Sequence, residues 1–264
     1  MRTSNNPALT RVPAFAGANK TVGFGPGPRS TDPLEAGYFG PTATSRDTGR
    51  MTMEDVSIRT GILLFTAIAT GTATWVLGLS ALALPALVVG FVLGLVISLK
   101  QITNPAAVIT YAAVQGVVLG AISQVFESRY PGIVVQAVIG TTSVAAGALF
   151  MYRSGRIRVT PKLTKMVVAS LFGFLGLALV NVVASIFVSG GLGLRSGGPI
   201  AILFSLFAIG LAAFCLIIDF DYIDNGVKAG LPERYGWYAA FSLMVTLIWL
   251  YVEILRLLSY FRSR

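Results

Sequence analysis

Apolar residues fall into seven runs along this chain, each near the roughly 20 residues that a helix needs to cross a bilayer. The runs cover about Thr60 to Leu79, Ala81 to Leu99, Asn104 to Phe126, Ile133 to Tyr152, Leu163 to Val188, Ile200 to Ile218 and Gly236 to Leu258. Short polar segments divide them, and two openings carry helix-start chemistry. Asn104-Pro105 and Thr160-Pro161 each pair a capping side chain with a proline whose missing N–H costs nothing in the first turn. The pattern predicts an all-α membrane protein, a bundle of seven transmembrane helices over residues 51–264. Residues 1–50 are rich in Pro, Gly, Ser, Thr and Asn, show no periodicity and hold no apolar signal segment. They are expected to form a disordered tail.

The sixth run ends abruptly in acid. Asp219, Asp221 and Asp224 follow an uncharged stretch from Ile200 to Ile218. A carboxylate inside a membrane helix is costly, and the negative end of the helix dipole disfavours it further at a C-terminus. Some compensation is required: a cation, a proton, a basic partner or water. At 3.6 residues per turn Asp221 and Asp224 share a face, while Asp219 points to the side of Cys215. Asn225-Gly226 reads as the helix stop. Asp219, Asp221 and Asp224 are the candidates for ion or proton binding, Asp219, nearest the apolar run, leading; for Asp224 a solvated loop is the expected setting.

Composition narrows the class. Hydrophobic residues make up 55% and charged residues 12% of the chain, with a mean hydropathy of +0.76, against about 25% charged in soluble domains. The net charge of +9 invites a nucleic-acid reading. The basic residues sit in short segments between apolar runs, so they carry topology instead, and no nucleic-acid partner is expected. Most Lys and Arg residues fall on one side if the N-terminus is cytoplasmic, above all Arg153, Arg156, Arg158, Lys162 and Lys165. Only the basic C-terminal tail argues back, and it returns to that side if the last helix is re-entrant. With no histidine and a single cysteine, Cys215, a Ser-His-Asp triad, a bis-His haem and an internal disulfide are excluded.

Further polar residues mark the other end. Glu253 and Arg256, three apart on the seventh helix, can pair on one face, either as a structural ion pair or as part of a gate. Glu127, in the tight turn Glu127 to Gly132, is a rival partner for Arg256. Gly116 and Gly120 have the GxxxG spacing that lets membrane helices approach closely.

Three segments together resemble the Bax inhibitor-1 family, in its bacterial YccA-like branch. They are Gln115-Gly116-Val117-Val118-Leu119-Gly120-Ala121-Ile122-Ser123, Asp219 with Ile223 four residues on, and Trp249 to Leu258 with its Glu253 and Arg256. The resemblance covers roughly residues 51 to 262. It implies a seven-helix bundle with the last helix central, in a cell membrane (a bacterial inner membrane). It also implies a pH-sensitive calcium leak controlled by two aspartates, on the sixth and seventh helices, that share a proton. No cofactor is implied; calcium is the ion passed. Asp219 (or Asp221) fits the first aspartate, but the second position falls on Thr246, which cannot titrate. The pair is then broken, rebuilt from Asp219 and Asp221 as joint cation ligands, or shifted.

Two other classes stand beside the leak. A non-conducting modulator of membrane-protein quality control, touching a membrane protease or other membrane proteins, is the second. An enzyme is the third: Asp219-Phe220-Asp221 is a DxD, and Asp221 to Gly226 loosely resembles the metal motif of alcohol phosphatidyltransferases. That motif needs an adjacent Asp-Gly and a further Asp pair, both missing here, so no enzyme activity is expected.

Overall fold

The computed structural model describes residues 49–188 and 191–263. Among these residues the chain forms seven long helices. They are α1 (Met53–Val76), α2 (Ala83–Lys100), α3 (Pro105–Arg129), α4 (Ile133–Arg153), α5 (Pro161–Phe187), α6 (Pro199–Lys228) and α7 (Tyr235–Arg262). Each, α2 taken with the 3-10 turn Ser80–Leu82 before it, is long and apolar enough to cross a membrane. The seven-helix architecture is therefore the one the apolar runs predict. The tail expected over residues 1–50 lies outside the described residues except for its last two.

Boundaries moved where polar chemistry extends a helix past its apolar run. Met53 to Arg59 is not a lead-in but the first two turns of α1. Asp55 N donates to Thr52 Oγ1 at 3.0 Å while Thr52 N donates to the Asp55 carboxylate at 3.1 Å, a reciprocal cap. Asn104 and Thr160 cap α3 and α5 as expected, accepting from Ala106 N at 2.9 Å and Leu163 N at 3.2 Å. The acidic stretch is a correction. It lies within α6, and Asn225-Gly226 does not stop the helix, which runs on to Lys228. Asn225 Nδ2 donates back one turn to Asp221 at 2.9 Å, and the left-handed residue that ends the run is Gly230, with φ +68°.

The helices alternate in direction, and α7 packs against α1, α3, α4 and α6. Its buried residues include Ala240, Met244, Leu250 and Leu255, all at 0% exposure. Helices α2 and α5 lie outside, against α3 and α6, and turn Leu84, Phe91, Leu99, Phe172, Leu179 and Phe187 outward. Such faces suit acyl chains and not water. Residues 49–51 strap onto the α6–α7 connection: Met51 N donates to Leu231 O and Glu233 N to Gly49 O, both at 2.8 Å. The far end of α7 meets the α3–α4 turn, where Arg262 Nη1 donates to Pro131 O at 2.7 Å. Helix α7 therefore traverses the full depth of the bundle, and the re-entrant alternative does not hold.

Candidate functional site

Asp219 sits about two and a half turns short of the C-terminus of α6, facing α7. Both carboxylate oxygens are used: Ser242 Oγ donates to Oδ1 at 2.8 Å and Thr246 Oγ1 to Oδ2 at 2.7 Å. Ser242 and Thr246 lie four apart on α7, one turn, so a single helix face presents two hydroxyls to one carboxylate. A hydrogen bond to a charged acceptor contributes about 1.5–3 kcal/mol, and here two such bonds offset the cost of placing an acid among apolar helices. A cleft of about 340 Å³ between α2, α3 and α7 reaches Ser242 and Thr246. Its wall includes Gln115, whose Nε2 donates to Tyr111 OH at 3.0 Å.

The other two acids turn away. Tyr152 OH, at the end of α4, donates to Asp224 at 3.1 Å and makes a long contact to Asp221 at 3.4 Å. Lys228 Nζ donates to Asp224 at 2.6 Å, one turn along the same helix. Asp224 is thus held by a tyrosine and a lysine within α6 instead of lying in a solvated loop. Asp221 and Asp224 share a face as expected. Asp219 and Asp221 do not: one carboxylate addresses α7 and the other α4, so the structure does not bring them together as joint ligands. Among the described residues no group of three or more Asp, Glu, Cys or His side chains could hold a metal ion.

Seven antiparallel apolar helices around a central α7, with an α6 aspartate addressing α7, are now in view. The sequence model described as Bax inhibitor 1 like matches residues 6–263. The chain belongs to the Bax inhibitor 1 like family. A search of curated proteins finds no match.

In this Bax inhibitor 1 like chain Thr246 faces Asp219 directly, so the position where the resemblance implies a second acid carries a hydroxyl within hydrogen-bond reach. Glu253 and Arg256 pair at 2.6 Å near the opposite end of α7. Glu253 is only 2% exposed, and its Oε2 has no hydrogen-bond partner among the described residues. The loop between α5 and α6 lies over this pair, bringing Gly197 against Tyr260. Shielding from water, then the charge of Arg256, pushes the Arg195 guanidinium of that loop below its usual value, while Glu253 works the other way.

Glu127 does not compete for Arg256. Its carboxylate accepts from Gly132 N at 2.5 Å and Val134 N at 3.0 Å, capping the start of α4. Glu127→Ala leaves those two N–H groups without acceptors and is expected to cost about 1–3 kcal/mol. Denaturation in detergent checks this; an unchanged midpoint would show that water replaces the cap.

Gly116 and Gly120 do what their spacing predicts. A Cβ on Gly120 would collide with the Gly71 carbonyl oxygen and lie 2.7 Å from Gly71 Cα; one on Gly116 would meet Thr70 and the backbone of Ala67. Three residues of this arrangement are not singled out by the sequence. Ser242 had a signal, its four-residue spacing from Thr246. Tyr152 and Arg195 had none, since their partners lie 69 or more residues away for the tyrosine and across a loop for the arginine.

Proposed function

We propose that this Bax inhibitor 1 like protein is a membrane cation leak, with calcium as the leading ion, whose closed state is latched between α6 and α7 at Asp219. The observation that carries the reading is the full use of the Asp219 carboxylate by Ser242 and Thr246, beside a cleft whose mostly apolar wall also carries Ser98, Tyr111 and Gln115. The latch is a two-state element: with it made, α6 and α7 stay together; with it broken, a carboxylate and two hydroxyls face the cleft. Those are oxygen ligands of the kind calcium takes, six to eight at a time, so water and backbone carbonyls complete the shell of a passing ion. Protons act at the same place by neutralising the one carboxylate. With threonine at 246, pH sensing rests on Asp219 alone and not on a shared proton.

The reading also orients the protein. The starts of α1 and α7 share an end with Lys100 and the Arg153 to Lys165 cluster, and the excess of positive charge favours placing that end in the cytoplasm. A bacterial inner membrane and the YccA-like branch are the corresponding setting.

The test is calcium flux into liposomes across a pH series, for wild type, Thr246→Val and Thr246→Asp. Thr246→Val removes one latch bond of about 1.5–3 kcal/mol and is expected to raise flux about tenfold or more. Thr246→Asp places two carboxylates together, which cannot both ionise cheaply, and adds a steep pH dependence near neutrality. Absence of wild-type flux at every pH sinks the leak and leaves the non-conducting modulator of membrane-protein quality control.

A further inference from the structure

We propose that the groove between α1 and α4 holds one acyl chain of a bilayer phospholipid, pressed against the back of α7. The groove encloses about 580 Å³, whereas an apolar cavity of about 150 Å³ already takes up benzene and stays dry. Its rims are Ile68 on α1 and Val138 on α4, 66% and 48% exposed. Its floor is Leu119 of α3 with Leu247, Ile248 and Tyr251 of α7. All of these lie well inside membrane-spanning segments, so the medium at the mouth is lipid chain.

Chemistry selects the chain over a headgroup or water. Four of the five hydroxyl-bearing side chains in the groove wall are already spent, Thr72 being the fifth: Ser123 and Tyr251 bond each other at 2.8 Å. Thr141 and Thr142 donate to carbonyls of their own helix at 2.7 and 2.9 Å. Apart from Thr72 and the indole of Trp75, what remains is apolar, and leaving it empty forfeits dispersion contacts along every wall. The floor has a second consequence. Leu247 and Ile248 follow Thr246 directly in α7, so an occupant bears on the segment that holds Asp219 from the other side.

The experiment is photolabelling of the full-length protein in phosphatidylcholine vesicles doped with a phosphatidylcholine carrying a mid-chain diazirine. Adducts are mapped by peptide mass spectrometry. Adducts are expected at Leu247 and Ile248 as well as at outward residues such as Phe91 and Phe172. Ala145→Phe, which fills the groove from α4, is expected to bring the α7 adducts to background and leave those at Phe91 and Phe172 unchanged. Thr142→Phe at the rim serves the same purpose if Ala145→Phe fails to fold. Adducts confined to Phe91, Phe172 and similar outer positions overturn the proposal. So do α7 adducts that survive the folded groove-filling variant, and so does a floor shielded by a second copy, seen as a cross-linked dimer without lipid adducts. None of these readouts depends on whether the protein conducts.

Discussion

Arg256→Met is expected to lower stability by about 3–5 kcal/mol, the cost of leaving a buried charge without its partner. Glu253 is 2% exposed and its Oε2 lacks a partner among the described residues, so losing Arg256 strips the one hydrogen bond the carboxylate makes among them. At about 2–4 °C per kcal/mol for a chain of this size, the apparent melting temperature in detergent should fall by roughly 10 °C. The paired change Glu253→Leu with Arg256→Met should recover most of that fall, because removing both charges also removes their desolvation cost. A loss below about 1 kcal/mol for Arg256→Met alone would mean that Arg195 moves in to neutralise Glu253, and that the loop, not the helix pair, holds this end.

Gly120→Ala is expected to cost about 1–3 kcal/mol through overpacking. The added methyl would press on the backbone of Gly71, which unlike a side chain has no rotamer to yield. Gly173 and Gly176 on α5 supply the control, since a Cβ there meets nothing within 4 Å. Alanine at either is expected to be neutral or to stabilise by about 0.5–1 kcal/mol, because glycine loses more backbone freedom on folding. Thermal unfolding of the three variants decides it. Equal midpoints for Gly120→Ala and Gly173→Ala would show that the α1–α3 contact relaxes without penalty.

The fold was legible because a bilayer imposes one length scale and one polarity on every spanning helix, and that scale is visible in the spacing of apolar runs. Helix ends were less so. Polar first turns such as Thr52 to Asp55, and polar last turns such as Asp219 to Lys228, are stabilised by side-chain hydrogen bonds that an apolar count does not register. At the site, the face-sharing of Asp221 with Asp224 and the placement of Thr246 opposite Asp219 both followed from periodicity and motif register. Arg195 and Tyr152 did not. Their roles depend on which elements the bundle places side by side, and no local pattern encodes that. Glu127 differs for a related reason: its proximity to an arginine at that end of the bundle is legible, but the two backbone N–H groups that claim it come together only in the folded turn.

The strap at residues 49–51 has a mechanical consequence. It ties the entrance of α1 to the corner joining α6 and α7, and Arg59 clamps the same corner by pairing with Glu233 and lying over Trp237, 5.2 Å from the ring centroid. Helix α1 is in turn locked to α3 through the glycine contact. Helices α1, α3 and the first turns of α7 are therefore tied into one block. The lower part of α6 meets that block through the Asp219 bonds to Ser242 and Thr246 and through Ile217 and Ile223, which share one apolar cluster with Met51 and Val56. A rearrangement that parts α6 from α7 has to open this apolar contact together with the Asp219 bonds, while the corner at residues 229–234 stays tied to the entrance of α1.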